Sequence, residues 1–266
     1  YKGFRCAAAL LRAEVIAIPM DARGVIPEAI AAIAKSHDVQ VICTSPEVHN
    51  PTGLFTPVER REEIVEVARA HDIQIIEDDC YRMGASRAPS YRMLAPERGW
   101  YVSSISKTLT PALRIGFVVA PKPSVPALRR SAEHGFFGLA TPLADLAERL
   151  LADPQAAEYA TKVNEVFGKY VQTCVNALGC YDLTWNEDVP FVWLKLPEGW
   201  RASAFCQAAE SEKVQIRPAE DFAGREARAP HAVRIAINAQ IAHDHFESAM
   251  LRLRNLLDSP PERISV

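Results

Sequence analysis

The chain has 266 residues, 48% of them hydrophobic, and a formal net charge of −3. That size can bury a substantial core in one large or two modest domains, and the near-neutral balance leaves no electrostatic footprint for nucleic acid. No apolar run has the length of a membrane span, the opening residues show no leader pattern, and Cys6, Cys43, Cys80, Cys174, Cys180 and Cys206 show neither CxxC pairing nor His-linked metal spacing.

Residues 4–13 read as a helix and residues 14–18 as a short buried strand closed by Pro19. Asp21-Ala22-Arg23-Gly24 is a turn. Pro27 opens a helix running to about His37, at a position where its missing N–H costs nothing. Residues 39–44 form the next strand. A turn from Pro46 to Gly53 leads to an amphipathic helix at about 57–71, with Glu59, Glu62 and Glu63 near the end that the helix dipole favours. Residues 73–76 form another buried strand, followed at once by Glu77-Asp78-Asp79-Cys80-Tyr81, and strands over 100–104 and 114–119 complete the set. Short apolar strands alternating with helices predict an α/β domain with a largely parallel sheet and flanking helices.

From about Pro123 the pattern turns helical, and residues 155–178 fit one long connecting helix. Beyond Gly179 come strands at 181–184, 190–196, 214–217 and 232–237, with helices near 202–211 and 242–257, the texture of a smaller α+β domain. The reading divides the chain into a large domain over 1–153, a connecting helix over 154–178 and a small C-terminal domain over 179–266. The tail from Asp258 reads as frayed. Tyr1-Lys2-Gly3-Phe4 opens as if inside a folded unit, which reads as a fragment whose large domain lacks its N-terminal part. Several cysteines lie in apolar stretches, as buried reduced thiols of a cytoplasmic protein would.

Ligands of such sheets bind at the carboxyl ends of the strands, so chemistry is expected in the turns after residues 44, 76 and 104. The first carries His49-Asn50-Pro51-Thr52-Gly53 and the second Asp78-Asp79-Cys80-Tyr81. The third carries Ser104-Ile105-Ser106-Lys107, with Arg114 seven residues beyond the lysine. A lysine between two buried strands is costly as a plain cation, and imine formation with a carbonyl cofactor is a common use for one. Hydroxyls at Ser104 and Ser106 and a cation at Arg114 suit a phosphate beside it. Taken singly, each segment has a plainer reading. Asn50-Pro51-Thr52-Gly53 is a generic turn, Asp78-Asp79 is a helix cap or solvated loop charge, Lys107 is a surface lysine on a loop, Arg234 is a surface strand residue, and Cys80 is a small packing residue. His37, His49, His71, His134 and His231 read as structural.

Together and in order, these motifs resemble the fold-type-I pyridoxal-phosphate enzymes of the class I/II aminotransferase family, over nearly the whole chain. The resemblance implies the PLP-dependent transferase fold, with pyridoxal 5'-phosphate (PLP) as cofactor. It implies that Lys107 of the Ser-x-Ser-Lys motif bonds the cofactor aldehyde and later shuttles the proton. Asp78 keeps the pyridine nitrogen protonated, and Tyr81 and Asn50 bond the ring 3-oxygen. Ser104, Ser106 and Arg114 hold the phosphate, Tyr1 stacks on the ring, and Cys80 lies against the opposite face. Val233-Arg234-Ile235 resembles the strand whose arginine grips the substrate carboxylate, with Asn50 beside it. The chain departs from the family in three places. The glycine-rich phosphate loop would lie upstream of Tyr1, Ile105 replaces the usual Phe, and Asp188-Val189-Pro190 and Ala219 stand where relatives often carry glycines.

The resemblance implies a PLP-dependent aminotransferase acting on an amino acid and a 2-oxo acid, a homodimer in the cytoplasm with no membrane partner. Its rival is the effector-sensing domain of a MocR-type (GntR-family) transcription regulator, which would reach nucleic acid only through an N-terminal domain missing here. Ser106-Lys107-Thr108-Leu109-Thr110-Pro111-Ala112-Leu113-Arg114 and Asp79-Cys80-Tyr81-Arg82 both look at home in such regulators, whereas Asn50 favours the enzyme. A lyase or decarboxylase of the same fold type would use the same coenzyme residues.

Overall fold

The computed structural model describes residues 2–136, 138–224 and 228–260. Contacts group the chain into two compact units, one of residues 18–49 and 54–163, the other of residues 1–17, 50–53 and 164–266.

The first unit opens with a small hairpin, β1 (Met20–Asp21) and β2 (Gly24–Val25), whose tight reversal puts Gly24 at φ 98°. After α2 (Pro27–Ser36) come β3 (Val41–Thr44), α3 (Val58–Ala70), β4 (Gln74–Asp78), the short α4 (Tyr91–Leu94), β5 (Gly99–Ser104) and β6 (Gly116–Val119). These four strands form one sheet in the order β3-β4-β5-β6. The first three are parallel and β6 runs antiparallel to β5, so the largely parallel sheet expected from the sequence is present. Two helices follow, α5 (Val125–Phe136) and α6 (Thr141–Ala152).

Alternation along the strands sends Ile42 and Ile75 to one face, where they pack with Ile30, Ile64, Val65, Ala68 and Tyr91 of α2, α3 and α4. At Gly99 any side chain would run into the Tyr91 carbonyl, so glycine is what lets α4 lie so close to β5. The opposite face carries Val41, Cys43 and Val118, all exposed.

Some expectations need correction. Residues 14–18 form no strand and are mostly exposed. An apolar run becomes a strand only with a ladder partner, and this segment has none among the described residues. The helix α4 was not anticipated; Ser90 caps it by accepting from the Met93 amide. Strand β4 extends through Glu77 and Asp78, so both acids are strand residues. Of the cysteines only Cys174 is fully buried, Cys6, Cys43 and Cys180 are exposed, and all six are free thiols.

The second unit contains α1 (Lys2–Leu10) and most of the long α7 (Pro154–Leu178). It also holds an antiparallel sheet of β7 (Leu183–Thr184), β8 (Phe191–Lys195), β9 (Arg217–Pro218) and β10 (Ala232–Ala236), ordered β7-β8-β10-β9. Helices α8 (Ala202–Ser211) and α9 (His243–Asp258) cover it, with Val171, Cys174, Leu194, Phe205, Val233 and Leu253 in the core.

Charge is also buried in the first unit. Arg61 of α3 is fully buried and donates to Thr56 O at 2.9 Å, Pro89 O at 3.0 Å and the Glu47 carboxylate at 2.6 Å. It thereby ties the segment before Asn50 to the segment before α4. Glu77 stands 3.8 Å from the same guanidinium and accepts the Tyr91 amide at 2.6 Å. With Glu47 satisfying Arg61 first, burial pushes the Glu77 carboxyl up to about 7. Burial pushes the His49 ring the other way, down to about 4.

The signs oppose. Glu77 contributes stability that is complete below its ordinary pKa of 4.5 and is lost as pH rises to about 7. His49 contributes stability present above 6.5 and lost as pH falls towards 4. Glu77→Gln should therefore make the fold lose more stability than wild type on acidification through this window, and His49→Gln should make it lose less. Urea midpoints measured at intervals across the window check both slopes.

Candidate active site

Parallel pairing of β4 with β5 sets Asp78 opposite Val102 and delivers both following turns to the same end of the sheet. Asp78, the last residue of β4, is buried and accepts the Cys80 amide at 3.1 Å, which folds the chain back at once. Asp79 donates its amide to Val102 O at 2.8 Å, and Ser103 Oγ donates to Asp79 O at 3.0 Å, fastening the turn to β5. The Asp79 carboxylate is buried, with Arg82 Nε at 2.7 Å and the Tyr101 hydroxyl at 2.5 Å.

The other turn is built on hydroxyls. Ser104 Oγ donates to Ile115 O at 2.7 Å, lies 2.9 Å from Ser106 Oγ and accepts the Ser106 amide at 3.1 Å. Ile105 points the opposite way into a small core with Ile115 and Ala147, so the departure from the family's Phe is spent on packing. Lys107 Nζ lies 5.6 Å from the centroid of the Tyr81 ring, which brings the two turns together. Lys107 is exposed, contrary to the burial inferred from its flanking strands. It sits in the turn after β5, beyond the end of the ladder, where the strands' burial does not reach. Arg114 is exposed too and has φ 52°, a left-handed conformation that costs a non-glycine residue about 1–2 kcal/mol.

Asn50 and Arg234 belong to the second unit. Asn50 is buried, and its side-chain oxygen has no hydrogen-bond partner among the described residues. The Arg234 guanidinium lies 4.3 Å from the Phe191 ring centroid and 5.6 Å from that of Phe222, so the plain surface reading of this arginine does not hold. Tyr1 lies outside the described residues. Sequence reasoning missed Arg82 and Tyr101 as partners of Asp79, and the two phenylalanines framing Arg234. The sequence carried no signal for these contacts, since they depend on the register that sets Tyr101 opposite Glu77.

The family profile for aminotransferase class I and II matches residues 1–253. The chain belongs to the class I and II aminotransferase family. Among curated relatives, an uncharacterized HTH-type transcriptional regulator of Bacillus subtilis, YdeF, is 25% identical over 97% of this chain and 56% of its own length. The 2-aminoadipate transaminase of Thermus thermophilus is 28% identical over 78% of this chain and 55% of the enzyme. The HTH-type regulator TauR of Rhodobacter capsulatus is 39% identical over 48% of this chain and 26% of its own length. The matched regions thus span between about a quarter and a little more than half of these relatives' own lengths. The solved structure of LysN, the α-aminoadipate aminotransferase of Thermus thermophilus, has the same fold, with a TM-score of 0.84 and 24% identity over 97% of this chain and 69% of that one. That LysN structure carries a phosphopyridoxyl-leucine.

The strained backbone at Arg114 yields a test of its own. Arg114→Gly should raise the free energy of unfolding by about 1 kcal/mol, because glycine adopts the left-handed region freely. Arg114→Val, with a β-branched side chain, should lower it. Urea denaturation of the two variants beside wild type reads both signs.

Proposed function

We propose that the protein is a PLP-dependent aminotransferase that moves an amino group between an amino acid and a 2-oxo acid. The observation that carries this reading is the approach of Lys107 to Tyr81, one turn from Asp78, at the carboxyl end of two parallel strands. Family membership implies the cofactor, and the residues present fit it. Two neighbouring hydroxyls and a guanidinium in one connection suit a phosphate. A buried carboxylate suits a protonated ring nitrogen, and the buried Asn50 amide has capacity unspent inside the protein.

In this reading Ser104, Ser106 and Arg114 would hold the phosphate, Asp78 the ring nitrogen, Tyr81 and Asn50 the 3-oxygen, and Tyr1 the ring face. Arg234, with Asn50, would receive the substrate carboxylate. Bound there, PLP supplies an aldehyde for the amino group and a ring that withdraws electrons from the substrate carbon. Lys107 would take the proton from the substrate Cα as general base and, as general acid, deliver it to the carbon of the cofactor's aldehyde (C4′). The Asp78 carboxylate holds the proton on the ring nitrogen throughout. Arg234, with its guanidinium over the Phe191 ring and near that of Phe222, would offer its planar fork of donors to the carboxylate. We further take the protein to act as a homodimer in the cytoplasm. Among the described residues no helix is long and apolar enough to cross a membrane.

A second reading is favoured by the relatives themselves, since YdeF and TauR are both named HTH-type regulators and extend well beyond the matched region. There the same site would sense an amino-acid-like effector instead of turning it over.

One experiment separates the readings. The full-length protein is titrated with PLP while its visible absorbance is followed, and a panel of amino acids and then 2-oxo acids is added. The aminotransferase reading expects a visible band that is lost with an amino acid and restored by a 2-oxo acid. A band that no amino acid discharges, together with DNA binding, establishes the sensor. Lys107→Ala should abolish the band of the bound cofactor, and a variant that kept it unchanged would overturn the role given to Lys107.

A further inference from the structure

The turn that follows Asp78 is held by more than its backbone. Asp79 and Arg82, three residues apart, close a side-chain bridge at 2.7 Å across the loop that contains Cys80 and Tyr81. Both ends of the bridge then reach the same hydroxyl on the neighbouring strand. Tyr101 donates to the Asp79 carboxylate at 2.5 Å, and Arg82 Nη2 donates to the Tyr101 oxygen at 3.2 Å. The three side chains therefore form a closed triangle, and Arg82 Nη1 extends it to Gly84 O at 2.9 Å. Beside it, the Asp79 amide and carbonyl bond Val102 and Ser103.

Such a triangle is costly to assemble unless something needs it. Asp79 is only 4% exposed, and burial pushes its carboxyl above the ordinary carboxylate range, against the pull of Tyr101 and Arg82. Its other oxygen, Oδ1, is buried with no partner among the described residues. A hydrophobic contact would anchor a loop to a strand more cheaply. What a triangle of hydrogen bonds adds is a fixed distance and direction. Its place shows which distance is fixed. One corner lies between Asp78 and Tyr81, another directly follows Tyr81, and the third is on β5, three residues before Ser104.

We propose that Asp79, Arg82 and Tyr101 act as a positioning triad that sets the spacing between the Asp78–Tyr81 turn and the Ser104–Lys107 segment. This rests on the reading of those residues as a PLP site and adds to it which groups outside the site fix its dimensions. None of the three needs to touch the cofactor. Asp78 and Tyr81 lie on one side of the gap to be held, Ser104, Ser106 and Lys107 on the other, and the triad spans the two strands that carry them.

The test uses the full-length protein with Tyr101→Phe, Arg82→Met, Arg82→Lys and the double variant Tyr101→Phe with Arg82→Met. Tyr101→Phe removes one oxygen and keeps the ring. For each, three quantities are read: the dissociation constant for PLP from the visible band, the pH midpoint of that band, and the melting temperature without cofactor. The triad expects Tyr101→Phe to weaken PLP binding by about five- to fifty-fold, the cost of a broken buried hydrogen bond, and to shift the pH midpoint. Arg82→Met should do the same and Arg82→Lys should recover part of the loss. The double variant should fall short of the product of the singles, because both break one triangle. Variants that lower the melting temperature yet bind PLP as wild type, with an unmoved midpoint, would show a purely structural triangle and overturn the proposal. If wild type itself acquires no band, the PLP reading fails first and takes the proposal with it.

Discussion

The pairing of β4 with β5 is the constraint from which the site follows. Parallel strands hydrogen-bonded side by side must release their chains at the same edge of the sheet. Two segments far apart in sequence, the acid–tyrosine turn and the serine–lysine connection, are therefore neighbours before any side chain interacts. Everything finer is adjustment of that coarse placement. The Asp78 carboxylate folds its own turn, the Ser104 hydroxyl ties the start of the connection to Ile115 at its end, and Lys107 comes to rest near the Tyr81 ring.

Beneath this edge the sheet rests on charge as well as apolar packing. Arg61, fully buried on α3, reaches carbonyl groups of two separate loops and the Glu47 carboxylate. Replacing such a group with hydrocarbon is often harmless to stability, whereas removing one partner alone is not. What Arg61 supplies is direction. It fixes the chain just before Asn50 relative to the chain before α4, so both arrive at the sheet in one arrangement.

How much of this was legible in the sequence depended on how local the determining physics was. The place of Asp78, Tyr81 and Lys107 at the sheet's carboxyl edge could be read because Asp78 ends β4 and the other two each lie three residues beyond a strand end, a short offset. The helix begun by Pro27 was legible for the same reason, since proline sets the first turn by itself. The apolar run at 14–18 misled because a strand is a property of a pair, and no single segment reports whether its partner is present. The exposure of Lys107 could not be inferred from its flanking strands, because apolar neighbours in sequence say nothing of how far a connection rises above them. Asp79 looked like ordinary loop charge beside Asp78. Only the register that brings Tyr101 alongside shows that it is buried and bonded on two sides.

The reversal of the chain between β5 and β6 carries a consequence for how this protein can vary. Because β6 returns antiparallel at once, Ser104, Lys107 and Arg114 all sit in or beside a single connection whose two ends are clamped by the ladder from Ser104 to Gly116. An insertion or deletion there would displace the amine and the guanidinium together, with no way to correct one without disturbing the other. Length drift is therefore closed to this connection over evolutionary time. The stretch between Gly84 and Ser90 lies outside the sheet's ladders, yet its Arg87 amide and Pro89 carbonyl are bonded to Glu47 and Arg61, so it too is pinned. Diversity among descendants of this chain should accumulate here as single-residue exchanges rather than as altered lengths.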